Sequence, residues 1–320
     1  MSKELETPKF AILIATRNRP KKIELLLESI SNLTMQPLQI VIVSSGDSIE
    51  EEVSHFRNKL NIEHLHLSQK GQIRQKIAGL RLINESAEWI QFLDDDVLLH
   101  ADSIANIFAY LHTQPKSQEI VGIGLKNTDA VHVLPSKFRK VVSCFFGIST
   151  LPKGGVSKNG QNIDYMGSLE VIETQWLNGI SMWTRELAIT YNIPFQEAAY
   201  SICEDLIFSY AARKKGKLIF IPSARFSFQD TILPAPQTPE VFIATAYWRF
   251  YFVLMNHELS KASFFWSQIG RTLFFSLFYK GTLKEKIERF NLSLKILIDL
   301  FSAILSNKPG IEVLEKRQTS

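Results

Sequence analysis

The chain predicts an α/β fold: a mostly parallel sheet with helices on both faces, followed by an aromatic-rich helical extension. Three observations carry the first part. Short apolar runs alternate with segments of helical spacing over the first 225 residues or so. The run at 10–15 ends abruptly in Thr16-Arg17-Asn18-Arg19-Pro20, as a strand does on leaving a sheet. The run around Trp89 to Leu93 meets three successive carboxylates, Asp94, Asp95 and Asp96. Three adjacent acids cannot stay in a core, because unpaired buried charge is very costly. They belong at the carboxyl end of a strand, where open α/β sheets bind ligands. Either a hard divalent ion holds them together or they form an acidic loop before the next helix, with Asp102-Ser103 as a further cap.

The elements follow in order. After the strand at 10–15, residues 22–30 show helical spacing through Ile23, Leu26, Leu27 and Ile30. Residues 39–43 form a β-branched strand that ends in the turn and cap cluster Ser44-Ser45-Gly46-Asp47-Ser48. A helix through Val53, Phe56 and Leu60, a strand at 62–67 and a helix at 71–82 lead to the Trp89 strand. A helix at 103–111 and a strand at 120–125 come next, and residues 126–175 show no clear pattern. Residues 176–183 read as strand around an Asn178-Gly179 turn. A helix at 199–215 carries Glu204-Asp205 near its start, and a strand at 217–222 follows. Three prolines at 234, 236 and 239 mark a boundary. The expected division is a main domain at 9–232, a helical extension at 240–306 and a flexible tail at 307–320.

Composition narrows the class. The 320 residues are 45% hydrophobic and 21% charged, which is ordinary for a globular protein. Two cysteines, Cys144 and Cys203, imply no disulfide framework and fit a reducing compartment. The polar first nine residues read as no signal peptide, and no run is apolar enough for a spanning helix. Residues 1–239 hold 25 basic and 25 acidic residues, while 240–320 hold 11 and 7, which accounts for the net +4. That argues against a nucleic-acid face on the main domain.

Six pieces in a fixed order now carry a resemblance: "TRNRP", "IVIVSSGDS", "GQIRQKIAGL", "FLDDDV", "WLNGISMW" and "CEDLIFSYAARKKG". The stretch at about 9–225 resembles the family-two inverting glycosyltransferases, which have the GT-A fold. The resemblance implies a nucleotide-sugar donor, a UDP-sugar or dTDP-rhamnose, and a glycan or lipid-linked acceptor. It places Thr16, Asn18 and Arg19 around the nucleotide, with Asp47 in place of the acid that the family carries directly after its second strand; Ser44 and Ser45 stand there in this chain. Arg74, Gln75 and Lys76 match a basic helix near the donor phosphates, although Lys76 also reads as a solvated surface residue. Asp94 and Asp96 match the DXD motif, with Mn²⁺ or Mg²⁺ on Asp96 and Asp94, and with Asp94 or Asp95 near the ribose. Glu204-Asp205 matches the family's "ED" pair. Asp205 would be the general base, with Glu204 orienting it or the acceptor. An acidic first helical turn is the plain alternative. Trp176, Asn178 and Gly179 would form a sugar platform, unless Trp176 is simply core. A metal-binding histidine common in the family is missing between His132 and His257; Gln229 and Asp230 lie near its place.

The extension is dense in aromatics at Tyr247 to Phe252, at Phe264 to Trp266 and at Phe274 to Tyr279, with Arg249, Arg271, Lys280, Lys284 and Lys286 interspersed. Such a segment suits a helix lying on an anionic membrane surface, or else a packed subdomain or oligomer interface. The expected protein is therefore a cytoplasmic glycosyltransferase held peripherally on the inner membrane face. The rival is a non-catalytic nucleotide-sugar-binding or membrane-docking protein of the same fold. A nucleotidyltransferase would want a Gly-rich phosphate loop, which "TRNRP" is not.

Overall fold

The computed structural model describes residues 8–114, 119–129, 137–148, 153–194, 201–230, 238–277, 279 and 281–305. Its contacts divide the chain into two compact units. One comprises Met1–Val131, Tyr165–Glu197 and Glu204–Leu233; the other comprises His132–Asp164, Ala198–Cys203 and Pro234–Ser320. The expected tail at 307–320, Phe278 and Lys280 lie outside the described residues.

The first unit is built on a nine-stranded sheet. At its centre β1 (Phe10–Arg17) lies between β2 (Gln39–Ser45) and β4 (Trp89–Asp94), and β3 (Ile62–Leu67) flanks β2, all parallel. β8 (Ser181–Thr184) joins β4 to β6 (Ile120–Asn127) by antiparallel pairing. β9 (Lys217–Phe228) runs parallel to β6 and antiparallel to β5 (Val97–Leu99) and β7 (Ile172–Thr174). The parallel ladders are the long ones, with six or seven residue pairs each against three in each antiparallel ladder.

Helices cover both faces, as the sequence predicts. On one face, α1 (Pro20–Ser31) buries Ile23, Leu26, Leu27 and Ile30. With α4 (Ser103–Thr113) it packs over Phe10, Ile12, Ile14, Ile40 and Ile42. Alternate residues of β1 and β2 point the other way. There α3 (Gln72–Leu80) comes so close that a Cβ on Gly79 would lie 2.3 Å from Leu13 and 2.9 Å from Val43. The shorter helices of this unit are α2 (Glu50–Ser54), α6 (Arg185–Ala188) and α7 (Glu204–Ala212).

Several boundaries differ from expectation. Residues 176–180 are loop, because the Asn178 N–H donates to the Tyr165 hydroxyl (2.9 Å) instead of to a ladder. The helix expected from 199 begins at Glu204, directly after Cys203 at φ +115°, a left-handed conformation that a helix cannot include. The strand expected to stop at Pro222 continues to Phe228, because the pairing with β6 jumps from Ile221 to Arg225 and passes over the proline.

The second unit holds α5 (Lys137–Phe145), α8 (Pro239–Met255), α9 (Lys261–Leu277) and α10 (Leu283–Leu305). Of the two alternatives for the extension, packing accounts for most of the α8 aromatics. The α8 aromatics Tyr247, Trp248, Phe250, Tyr251 and Phe252 are buried, as are Phe264 and Phe275, so they form a core and not a lipid-facing surface. Arg249 is buried too; it donates to the Gly160 carbonyl (2.6 Å) and to Asn162 Oδ1 (3.2 Å). Arg271 donates to Gln161 Oε1 (2.8 Å). Burial, with the neighbouring Arg249 charge, pushes the Arg271 guanidinium down to about 9. Among the described residues no helix is long and apolar enough to cross a membrane.

Candidate active site

The parallel strands end together. Thr16 of β1 lies opposite Ser44 of β2, and Ala15 lies opposite Asp94 of β4. Asp94 closes β4, and Asp95-Asp96 make the turn into β5. The three acids then take three environments. Asp95 is buried and accepts hydrogen bonds from the Thr16 hydroxyl (2.7 Å) and from Arg19 Nη1 (2.7 Å). It therefore pins the first loop. Its hydrogen bond and charge hold the Arg19 guanidinium above its ordinary value. Asp94 accepts from Gln72 Nε2 (2.9 Å). Burial pushes its carboxyl up, against the pull of Lys76. Asp96 is part exposed, 3.4 Å from Arg19 Nη1, and is raised by burial and by the Asp95 charge.

The two loops expected around the nucleotide clasp each other. Asn18, at φ +55°, accepts the Asp47 N–H at Oδ1 (2.9 Å). Gly46 sits at φ +82°, where a Cβ would fall 1.8 Å from that same oxygen. The Asp47 residue is exposed. Ser44 is buried and lies 2.8 Å from His64 Nε2 and 3.1 Å from His66 Nδ1. His64 Nδ1 lies 3.1 Å from Glu50 Oε2, so Glu50, His64, Ser44 and His66 form one chain of polar contacts. Gln75 ties the base of both loops together through the Thr16 carbonyl (2.6 Å) and the Val43 carbonyl (3.0 Å).

A buried group lies beside the acids. Lys76 Nζ donates to Glu204 Oε1 (2.5 Å), and the Tyr191 hydroxyl donates to Glu204 Oε2 (2.5 Å). Lys76 is thus neither a surface lysine nor a cation open to phosphate. Burial alone would lower it, but Glu204 and Asp94 more than offset that and hold it raised. Burial and Glu204 push the Tyr191 hydroxyl well above its usual range. Asp205 is part exposed and accepts the Leu206 N–H (2.7 Å). Burial, followed by the adjacent Glu204 charge, pushes its carboxyl up to about 7.

The remaining expected residues divide. Gly179 belongs to this group: a Cβ there would lie 3.6 Å from Asp94 Oδ2 and 4.0 Å from Lys76 Nζ. Asn178 is held by the Tyr165 hydroxyl. Trp176 is buried with its ring edge-on to Tyr165 at 5.0 Å, so it is core and offers no open indole face. Arg74 is half-buried on α3. Asp230 pairs with Lys22 (2.6 Å). The Gln229 amide nitrogen donates to the Asp95 carbonyl (3.0 Å) and to the Lys22 carbonyl (2.9 Å), which leaves Gln229 Oε1 buried without a partner.

Among the described residues, no three His, Cys, Asp or Glu side chains form a group able to hold a metal. The side-chain donors at this turn, Asp94, Asp96 and Gln229 Oε1, are oxygens, the kind that hard divalent ions take. Asp96 and Asp94 crowd negative charge, and the orphaned Gln229 Oε1 lies against the same turn. Mg²⁺-type ions are commonly held by one or two carboxylates, with substrate phosphates and water completing the shell.

The sequence model of glycosyl transferase family 2 matches residues 11–175, more than half of the chain. The chain belongs to glycosyl transferase family 2. EpsH of Bacillus subtilis (strain 168), a protein assigned by name to the glycosyltransferases, is 31% identical over 103 residues. That stretch spans 31% of this chain and 29% of EpsH. Among solved structures, S. aureus TarS 1-349 superimposes with a TM-score of 0.57 at 19% identity, covering 91% of this chain and 80% of that one. The same TarS segment in complex with UDP-GlcNAc gives 0.58 at 18% identity, covering 91% and 81%. The mannosyltransferase PcManGT from Pyrobaculum calidifontis, in complex with GDP-Man and Mn²⁺, gives 0.55 at 14%, covering 95% and 89%. At these identities the likeness is one of fold, and the fold is GT-A.

Several residues of this family 2 site were not singled out by sequence reasoning. Gln72 had a usable signal: Gln75 and Lys76 follow it three and four residues on, on one face of α3. Tyr191, His64 and His66 had none, since nothing local marks their partners.

Proposed function

We propose that this chain is a metal-dependent inverting glycosyltransferase. It moves a sugar from a nucleotide-diphosphate donor to a hydroxyl of a glycan or lipid-linked acceptor. The observation that carries this reading is Asp205: a part-exposed residue in the first turn of α7, directly after Glu204, which is locked to Lys76, with its carboxyl pushed up to about 7 by burial and by that neighbouring charge. A general base works best with a pKa near the working pH. The acceptor oxygen bonds to the anomeric carbon while the bond from that carbon to the diphosphate oxygen breaks. Asp205 takes the acceptor proton, and the electron pair leaves with the nucleoside diphosphate. A single displacement of this kind inverts the anomeric centre.

Glu204 is a positioning residue in this scheme, since both of its oxygens are occupied. Thr16, Asn18, Arg19 and Asp47 flank the nucleotide, Arg74 serves the phosphates, and Asn178-Gly179 borders the sugar. Mn²⁺ or Mg²⁺ bound by Asp96 and Asp94 would offset charge on the departing diphosphate. The TarS complexes with UDP-GlcNAc and UDP and the PcManGT complex with GDP-Man and Mn²⁺ support a nucleotide-sugar donor. Our candidates are a UDP-sugar and dTDP-rhamnose. We place the protein peripherally on the inner face of the cytoplasmic membrane. The test is nucleoside-diphosphate release from UDP- and dTDP-sugars by the purified chain, with and without Mn²⁺. Donor binding with no release from any of them would favour the non-catalytic reading.

A further inference from the structure

Helix α10 buries Ser293, Ile296, Leu300 and Ala303 and leaves a second apolar stripe open. Leu283, Ile287, Phe290, Leu294, Phe301 and Leu305 recur three, four or seven apart along it, and Leu283 and Leu305 are more than 70% exposed. Between α9 and α10 lies a groove of about 480 Å³ lined by Phe265, Ile269, Leu297, Ile298 and Phe301. One turn before Ile269, Trp266 is exposed and its ring meets Phe145 of α5 at 5.2 Å. On α5, Phe138, Val141 and Phe145 are each about two-thirds exposed. Exposed apolar side chains on α5 and α9 thus meet at Phe145 and Trp266, and those on α9 and α10 meet in the groove. Soluble monomers rarely expose apolar patches of this extent.

Charge says what covers it. Lys137 and Lys140 are exposed on α5, which contains no acidic residue. The second unit holds 16 Lys and Arg against 8 Asp and Glu, a net +8, whereas the first holds 20 against 24, a net −4. The division into units therefore hides behind a modest total of +4 a strongly basic body. A second copy of that body would be repelled by its like charge, and an anionic surface would be attracted.

We propose that this α5–α9–α10 band is a docking surface for an anionic lipid bilayer. The apolar side chains enter the headgroup boundary with α10 lying in the plane, and the α5 lysines meet anionic headgroups. The inference rests on the membrane placement proposed above and gives it a location that the buried aromatics of α8 cannot supply.

The test is flotation of the full-length chain with vesicles of phosphatidylglycerol mixed with phosphatidylcholine, and of phosphatidylcholine alone, at low and high salt. We expect binding to the anionic vesicles only, weakened by salt. Lys137→Glu/Lys140→Glu and Phe301→Ser/Leu305→Ser should each lower it at least about tenfold. Circular dichroism melts confirm that these surface variants fold, and their UDP-sugar binding reports separately on the transferase reading. No flotation at low salt, or flotation unchanged by both variants, overturns the proposal. A dimer in sedimentation velocity that Phe301→Ser/Leu305→Ser abolishes, without vesicle binding, would instead make the band a self-interface.

Discussion

Lys76 Nζ lies 2.5 Å from Glu204 Oε1, with 2% and 6% of the two side chains exposed. The residues are 128 positions apart in the chain. They tie α3, which packs on the first strands, to the head of α7, which carries Asp205. The pair leaves Glu204 unable to reach an acceptor and places a fixed cation near Asp94 and Asp205.

Breaking this pair from one side should be severe. Lys76→Met leaves Glu204 buried without its cation, and we expect a loss of about 3–5 kcal/mol in denaturant unfolding. Lys76→Met/Glu204→Gln should cost less than the sum of the two single changes. Additive costs in the double-mutant cycle would show that the two side chains are not coupled.

Asp205→Asn should leave donor affinity nearly unchanged and lower turnover about a hundredfold or more. Isothermal titration with a UDP-sugar and steady-state release of the nucleoside diphosphate separate the two effects. Equal loss of donor binding would move Asp205 into the donor site.

The raised carboxyl of Asp205 also sets a pH dependence. Between its ordinary value of 3.8 and about 7, the folded chain holds a proton on this group that the unfolded chain has lost. Stability contributed by Asp205 is therefore present at low pH and falls as pH rises through that window, opposite in sign to a salt-bridged acid. The rate should do the reverse and rise through about pH 7 as the base becomes available. Asp205→Asn should flatten its share of the stability slope. A kcat/KM profile already level from pH 5 upward would contradict the assignment.

Neighbouring acids should fail differently. Asp95→Asn weakens the bonds that hold Thr16 and Arg19, so the melting temperature should drop, with a cost of about 1–3 kcal/mol. Asp96→Asn should keep the melting temperature but lose the Mn²⁺ dependence of donor binding. Two variants with the same profile would remove the distinction between a loop anchor and an ion ligand.

Gly46→Ala should disturb the clasp between the first two loops. It places a Cβ on the Asn18 oxygen and forces a left-handed conformation that costs about 1–2 kcal/mol. Donor affinity should fall with it, and Asn18→Gly in the same chain should recover part of that loss. Unchanged affinity in Gly46→Ala would detach these loops from the nucleotide.

What the sequence determined by itself was local. Apolar runs alternating with helical spacing specify a layered sheet because each run must bury its own surface. Asp94 to Asp96 were readable at a strand end because three charges cannot follow an apolar strand inward. Glu204-Asp205 and the order of the motifs were equally plain. Tertiary structure decided what each of these groups meets. Asp95 turned inward because Thr16 and Arg19, nearly 80 residues earlier, offer it partners. Lys76 looked like a surface or phosphate cation until α7 brought Glu204 against it. Aromatic density marked the whole extension as membrane-facing or packed, yet most α8 aromatics are buried, and the open apolar stripe is on α10. Hydrophobicity is a property of a residue, whereas exposure depends on which other segment packs against it, and those partners lie far away along the chain.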